Sequence, residues 1–232
     1  TWRFDTIKNQ TTDYYIDNLK SGLCACGIEP SDIEKTAISS VVPELNNRFV
    51  DAVSKITGGE PRFFSVIDAE RLMDIDVDFP EQVGKDRLAD AIAAAECYGS
   101  PTIVIDMGTA TTVGIVTAQR TFVGGMIIPG VKTSHRALCE RASQLSEIDK
   151  WEAGSIVGRN TKECMQSGVI FGAACMIDGV IDRINDMFDS PFTIVATGGM
   201  SSVIVPYCKH DIIVDKHLLL KGIYHAVIAE NK

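Results

Sequence analysis

The sequence of 232 residues predicts an α/β protein with a largely parallel sheet flanked by helices. Short β-branched runs alternate with segments of helical apolar spacing along the chain. Apolar residues make up 45% and charged residues 23%, which is enough apolar material for a sizeable core. No repeat or flexible linker interrupts the pattern. We therefore expect two halves, residues 1–100 and 101–232, with a cleft between them.

The first half alternates helices and strands that are bounded by capping and turn residues. Thr11 offers an N-cap for the first helix, and Gly27 follows that helix's end. A strand at 36–42, a helix at 43–56 and a strand at 63–66 are expected next.

An acid and a base stand together where the next helix is predicted to begin. Pro80 and Gly84 indicate a loop, and apolar residues recur at helical spacing from Leu88 onward. Asp86 and Arg87 then lie in the first helical turn. Asp86 alone is compatible with an N-cap, but an arginine is disfavoured at a helix N-terminus by the helix dipole. The pair therefore suggests a ligand site.

The stretch 102–116 is the centre of the predicted fold. A buried strand ends at Asp106, Gly108 permits a tight turn, and Thr109 and Thr111 place hydroxyls on the return strand. A carboxylate beside such a turn suits metal-bound phosphate. An ordinary hairpin with Asp as a turn former explains the same residues equally well. Both interpretations stay open from these residues alone.

The second half continues with a strand near 121–128, a helix at 134–145 and a long helix after Thr161. Gly168 and Gly172 lie one turn apart on that helix, and we expect them to pack closely against a neighbouring element. A strand at 192–196 then leads into Thr197, Gly198 and Gly199, where backbone N–H groups could face a ligand. A strand at 211–215 and a helix at 219–229 end the chain.

Composition narrows the function further. The net charge of −9 argues against sequence-independent nucleic-acid binding. No apolar run is expected to span a membrane, which takes roughly 20 residues. The seven cysteines are expected to be reduced and mostly buried, with Cys175 in the core, and the histidines lack the spacing of a zinc site. A cytoplasmic protein is expected.

Six motifs in order resemble the type III pantothenate kinases, members of the actin/hexokinase/Hsp70-like phosphotransferase superfamily. They are Ser39–Pro43 (SSVVP), Val83–Leu88 (VGKDRL), Asp106–Thr112 (DMGTATT), Gly124–Gly130 (GGMIIPG), Gly158–Thr161 (GRNT) with Ser167-Gly168, and Thr197–Gly199 (TGG). Their order and spacing cover nearly the whole chain. The resemblance implies two actin-like (ribonuclease H-like) halves with mixed sheets, and phosphorylation of pantothenate by ATP, the first step toward coenzyme A.

The resemblance also implies roles for individual residues. Asp86 is implied as the catalytic base. The substrate pocket would be lined by Gly84, Lys85, Asp86 and Arg87, with Thr161 as a further contact. Contacts to ATP would come from Gly108, Thr109, Thr111, Thr197, Gly198 and Gly199. Asp106 would hold a monovalent cation, K⁺ or NH4⁺, and Mg²⁺ would accompany ATP. The family implies a homodimer, and the composition predicts no nucleic acid and no membrane as partner.

The chain departs from the family pattern in three places. It lacks the family's first Asp-x-Gly-Asn-Thr loop, Gly114 stands where an Asp is usual, and residues 77–80 read Val-Asp-Phe-Pro instead of Tyr-x-Asn-Pro. We therefore expect about 20 to 25 further residues before Thr1, carrying the missing loop on a strand of ordinary length. Without them the chain should be poorly soluble or inactive.

Three other functions are considered beside pantothenate phosphorylation. A degenerate homologue could bind or regulate without catalysis, and a related kinase could act on another small hydroxy acid. A nucleic-acid-binding activator is disfavoured by the acidic balance.

Overall fold

The computed structural model describes residues 1–188 and 190–228. Among these, the strands are β1 (Ala37–Ile38), β2 (Arg62–Phe63), β3 (Asp74–Ile75), β4 (Thr102–Met107), β5 (Ala110–Val116), β6 (Thr121–Pro129), β7 (Thr193–Thr197) and β8 (Ile213–Val214). The α-helices are α1 (Thr12–Ala25), α2 (Asn46–Thr57), α3 (Val66–Glu70), α4 (Lys85–Tyr98), α5 (Val131–Arg141), α6 (Thr161–Asn185), α7 (Ser201–Ile204) and α8 (Leu218–Ile223), and α8 continues as a π-helical turn, Tyr224–Ile228.

Six strands form one mixed sheet in the order β3-β6-β5-β4-β7-β8. Strands β4, β5 and β6 are antiparallel neighbours, whereas β7 and β8 continue parallel to β4, and β3 is parallel to β6. The predicted α/β class is confirmed, but the sheet is less parallel than expected. The reason is the short turn between β4 and β5, which permits only an antiparallel hairpin.

Several helices and strands begin or end at other residues than predicted, because capping side chains or a glycine set their boundaries. Strand β1 is only two residues long, and beyond it the backbone N–H of Val42 bonds to Ser40 Oγ at 3.1 Å in a turn. Ser65 caps α3, so the strand expected at 63–66 ends at Phe63. Helix α5 covers Val131–Arg141 rather than 134–145 because its N-cap is Gly130. The last predicted helical residue, Ala229, lies outside the described residues.

Helix α6 packs one side against the central sheet. Its Ile170, Ile177 and Ile181 are fully buried and belong to the same core as Ile103 and Ile105 of β4. By length and composition alone this helix could cross a membrane, so the expectation that no segment qualifies is wrong. A core helix of a globular protein meets the same criterion, and α6 has that position here.

The other side of α6 is open, which corrects two predictions. Gly168 and Gly172 are exposed, and a Cβ added to either would meet no atom within 4 Å. They do not pack against a neighbouring element of this chain. Instead they line an apolar cavity of about 420 Å³ between α5 and α6. Cys175 on the same helix is also exposed rather than in the core.

The prediction that the cysteines are mostly buried is wrong. All seven thiols are free, but none is buried: five are exposed, and Cys139 and Cys208 are intermediate.

Helix α4 lies between the sheet and α8 and is the most deeply buried helix of the site. Eight consecutive residues, from Leu88 to Ala95, are buried. A hydrogen-bonded network fixes its C-terminal end: Asp215 accepts from Tyr98 Oη at 2.9 Å, from Lys221 Nζ at 2.6 Å and from the His217 N–H at 2.9 Å. Burial alone would raise the pKa of Asp215, but these donors hold it below its ordinary value. These hydrogen bonds hold the C-terminal end of α4 in place, and the N-terminal end of the same helix carries Asp86 and Arg87.

Candidate functional site

Asp106 occupies the end of the central strand with a threonine on each side. In β4 it pairs with Thr112 of β5 in the antiparallel register and with Thr197 of β7 in the parallel register. Its side chain is half-buried and accepts no hydrogen bond from the described residues. The sheet therefore presents one uncompensated carboxylate between two hydroxyl-bearing residues.

Two glycine turns converge on this carboxylate. A Cβ at Gly198, whose φ is +87°, would lie 2.3 Å from Asp106 Oδ1, and one at Gly108 would lie 3.6 Å from the same oxygen. The N–H of Met200 donates to the Met107 carbonyl at 3.1 Å, which ties the second turn to β4. Because any side chain at Gly198 would displace Asp106, glycine is required there. The predicted phosphate turn and the Thr197–Gly199 turn are thus brought together.

The turn after β4 is held by the start of α5. The Thr109 carbonyl accepts from the Gly130 N–H at 3.1 Å and from Thr133 Oγ1 at 2.7 Å. The Thr109 side chain is exposed, whereas Thr111 is buried and its hydroxyl has no partner among the described residues. Of the two predicted phosphate contacts, Thr109 is the accessible one.

The carboxylate of Asp86 lies in the first turn of α4 and is not the N-cap. Gly84 is the residue that precedes the helix, and a Cβ there would lie 2.4 Å from Asp86 Oδ1. Asp86 Oδ1 accepts the Arg87 N–H at 2.9 Å, so Oδ2 is left without a donor among the described residues. The sequence-based alternative of a simple N-cap is therefore wrong. A negative charge in this turn is stabilised by the helix dipole.

The guanidinium of Arg87 is buried by half and poorly satisfied. Its Nη2 donates to the Val113 carbonyl at 3.4 Å, its Cζ lies 5.7 Å from the ring centroid of Phe122, and its Nε has no partner among the described residues. Burial lowers the pKa of Arg87, and the neighbouring Asp86 opposes that shift. A buried cation with unused donors is suited to a planar anion.

Three carboxylates share this region and repel one another. Burial raises the pKa of Asp106, and Asp86 raises it further. Asp90, one turn beyond Asp86 on α4, is 3% exposed, and its Oδ1 has no partner among the described residues. Burial, together with Asp106, Asp86 and Asp215, raises the pKa of Asp90 to about 8. Asp90 is therefore largely protonated at neutral pH, and this region would be stabilised by an added cation.

Two predicted substrate-binding residues, Thr161 and Lys85, have no described hydrogen bond to the carboxylates Asp86, Asp90 and Asp106. Thr161 is exposed at the first position of α6 behind its N-cap Asn160, and no hydrogen bond among the described residues joins it to Asp86 or Asp106. Lys85 opens α4 and is half-buried. Within residues 1–188 and 190–228, no group of three or more His, Cys, Asp or Glu side chains could hold a metal ion. A cation at Asp106 would therefore need further oxygens from backbone carbonyls, hydroxyls, water or a ligand.

A cavity of about 480 Å³ opens beside the second glycine turn. Besides Gly198 and Gly199 it is lined by His217 and by two cationic side chains, Arg3 and Lys216. This gives the glycine turn an electropositive flank that is favourable for phosphate.

Two residues of the site were missed by sequence reasoning. Asp90 could have been found, because an aspartate four residues after Asp86 in an alanine-rich helix lies on the same face. Phe122 gave no such signal, since only the folded sheet places its ring under Arg87.

Comparisons with known proteins agree on one family. The sequence profile of the family described as type III pantothenate kinase matches residues 1–183. A protein of that name from Halalkalibacterium halodurans is 35% identical over 222 residues, which cover 96% of this chain and 87% of the relative. One from Brevibacillus brevis is 36% identical over 227 residues, with the same shares.

A solved structure shares the fold. It is a protein from Campylobacter jejuni described as a Baf family transcriptional activator, with a TM-score of 0.55 at 20% identity, covering 90% of this chain and 87% of the other. At that identity the likeness concerns the fold alone.

Proposed function

The chain belongs to the type III pantothenate kinase family, and from this premise we propose that it transfers a phosphoryl group from ATP to the 4′-hydroxyl of pantothenate. The observation that carries the proposal is that two adjacent residues near the Asp106 turn have unused groups among the described residues: Asp86 has a free carboxylate oxygen, and Arg87 has a buried Nε without a partner. Phosphoryl transfer needs little more than alignment, charge neutralisation and a proton acceptor.

Pantothenate is a carboxylate that also carries a hydroxyl, and the α4 end offers a partner for each. Arg87 binds the carboxylate through its unused donors. Asp86 Oδ2 accepts the hydroxyl proton as the oxygen attacks phosphorus. Gly84 and Lys85 form the wall next to these groups, and Thr161 supplies a further contact. The absence of a side chain at Gly84 is what leaves room for the Asp86 carboxylate.

The phosphates of ATP lie between the two glycine turns. Gly108 and the exposed Thr109 contact them from one side, and Thr197, Gly198 and Gly199 contact them from the other. Thr111, the remaining proposed contact, is buried, and its hydroxyl has no partner among the described residues. The basic residues around the adjacent cavity support an anion in this position.

Asp106 is the residue that fits a cation, because its half-buried carboxylate has no hydrogen-bond donor among the described residues and its pKa is raised. A monovalent cation, K⁺ or NH4⁺, is assigned to this carboxylate, and Mg²⁺ accompanies ATP. When bound, these ions neutralise charge on the phosphate oxygens. Asp106 itself takes no proton from the substrate.

We also propose a cytoplasmic homodimer in which two copies meet at the apolar groove between α5 and α6. The exposed Gly168 and Gly172 in this groove allow close approach of a second helix. The division into halves near residue 100 stays a prediction.

The test is an ATP-dependent phosphorylation assay on the full-length protein. We expect ADP and 4′-phosphopantothenate from pantothenate. When the carboxylate of pantothenate is replaced by an amide, we expect kcat/KM to fall at least tenfold, because losing its contact with Arg87 should cost about 1.4 kcal/mol or more, and about 1.4 kcal/mol is a factor of ten. Binding of pantothenate without turnover would instead identify a degenerate homologue. Turnover of another small hydroxy acid, but not of pantothenate, would reassign the substrate.

A further inference from the structure

The ring of Phe122 is the main support of the Arg87 guanidinium. Phe122 lies in β6 and is fully buried, and its ring centroid is 5.7 Å from Arg87 Cζ. A guanidinium at this distance is attracted by the negative face of the ring. The side chain of Arg87 is thus held from below by a rigid, apolar surface.

Few other contacts fix the guanidinium. Nη2 donates to the Val113 carbonyl at 3.4 Å, Nε is buried without a partner among the described residues, and Arg87 forms no ion pair with a described carboxylate. Besides the charge of the neighbouring Asp86, one ring and one long hydrogen bond are the described interactions that orient its remaining donors.

Gly114 makes room for this ring. It follows Val113 in β5, and a Cβ added to it would lie 3.1 Å from Phe122 Cε2. Such a contact is tighter than packed atoms normally accept, so any side chain here would push the ring. The pairing of β5 with β6 is consistent with this position of the Phe122 ring beside Gly114. Val116 pairs with Phe122, and the register shifts between Gly114 and Val116.

We propose that Phe122 and Gly114 are positioning residues that aim the Arg87 guanidinium at the carboxylate of the acceptor substrate. This rests on the proposed function, in which Arg87 binds that carboxylate. Phe122 acts through its π face and Gly114 through the absence of a side chain. The proposed function places ATP at the two glycine turns, so we expect both residues to affect the acceptor and not the nucleotide.

The test separates the ring's electrostatic role from its packing role in the full-length protein. Phe122→Leu is expected to raise the KM for pantothenate about fivefold and to leave the KM for ATP unchanged. Phe64→Leu is the matched control, because Phe64 is also fully buried in the same core but has no cation over its ring among the described residues. It is expected to lower stability similarly and to leave both KM values unchanged.

Three further variants extend the test, and the first two make the result independent of folding losses. Trifluorophenylalanine at position 122 keeps the ring in place but removes its negative face, so it should raise the KM for pantothenate as Phe122→Leu does. In an Arg87→Ala background, Phe122→Leu should add no further rise, since the two residues act as one unit. Gly114→Ala should give a smaller rise.

The outcomes distinguish this inference from the proposed function. If the fluorinated ring leaves the KM for pantothenate unchanged, or if Phe122→Leu and Phe64→Leu raise it equally, Phe122 is only a core residue and the inference is wrong. If Arg87→Ala itself leaves that KM unchanged, the carboxylate contact of the proposed function is wrong, and the inference falls with it.

Discussion

Two buried aspartates near helix α4 have opposite surroundings. Asp215 is 7% exposed, accepts three hydrogen bonds, and has a lowered pKa. Asp90 is 3% exposed, its Oδ1 has no partner among the described residues, and its pKa is raised to about 8. The satisfied carboxylate lies at the structural end of α4, and the unsatisfied one lies beside Asp86 and Asp106. Incomplete satisfaction, rather than burial, therefore marks the functional end.

The largest effect on activity is expected from Asp86→Asn, a change at the functional end of α4. We expect kcat to fall roughly 100-fold or more, because the amide cannot accept the hydroxyl proton. The thermal midpoint should stay near that of the parent, since Asn also accepts the Arg87 N–H. Near-normal turnover of a folded Asn variant would remove Asp86 from the chemistry.

Asp106→Ala should have the next largest effect on activity. Loss of a charge-assisted contact of about 1.5–3 kcal/mol corresponds to a rise of roughly 10- to 100-fold in the KM for ATP. Titrations of K⁺ and Mg²⁺ at fixed ATP should show a changed cation response. An unaltered response in this variant would contradict the cation assignment.

Asp215→Ala should break the structural end of α4 instead. Removing this acceptor breaks the hydrogen bonds from Tyr98 and Lys221, and at roughly 1 kcal/mol each we expect the free energy of unfolding to fall by about 2 kcal/mol. Urea denaturation measures the loss, with Asp211→Ala as an exposed control nearby. The KM values for pantothenate and ATP should stay unchanged. If instead stability is kept and the KM for ATP rises, Asp215 belongs to the site.

Asp90→Asn should have its effect on stability rather than on turnover, and that effect should depend on pH. The native carboxyl keeps its proton up to about pH 8, whereas the unfolded one loses it near pH 4. The unfolded state therefore binds fewer protons, and this group makes stability fall as pH rises from about 4 to about 8, by at most about 1.4 kcal/mol per pH unit.

The Asn variant should lack this slope and exceed the parent in stability most clearly at pH 8. Urea melts at pH 5, 6.5 and 8 measure the difference. Parallel curves for the two proteins would mean that Asp90 titrates normally.

Local features of the fold were predictable from the sequence, because each depends on neighbouring residues. Thr11 caps α1 through the Tyr14 N–H as expected, and α4 begins directly after Gly84. The motif residues Asp106 and Gly198 were also identified, although their contact was not. Their meeting requires β7 to add beside β4, which no local pattern encodes.

Contacts between distant residues could not be predicted. Tyr98 and Asp215 are 117 residues apart, and their hydrogen bond depends on where α8 docks. The burial of Cys175 was wrongly predicted because helical periodicity identifies an apolar face without showing whether anything covers it. Gly168 and Gly172 on α6 failed for the same reason.

The exposure of five thiols has a consequence for handling the protein at the bench. Surface thiols oxidise and exchange in air, so a preparation kept without reductant would accumulate intermolecular disulfides. Cys164 is exposed and lines the groove between α5 and α6. A disulfide through it would link two copies at the surface proposed for their non-covalent contact. Sizing columns and gels therefore need fresh reductant, or a chemical artefact would be counted as the native assembly.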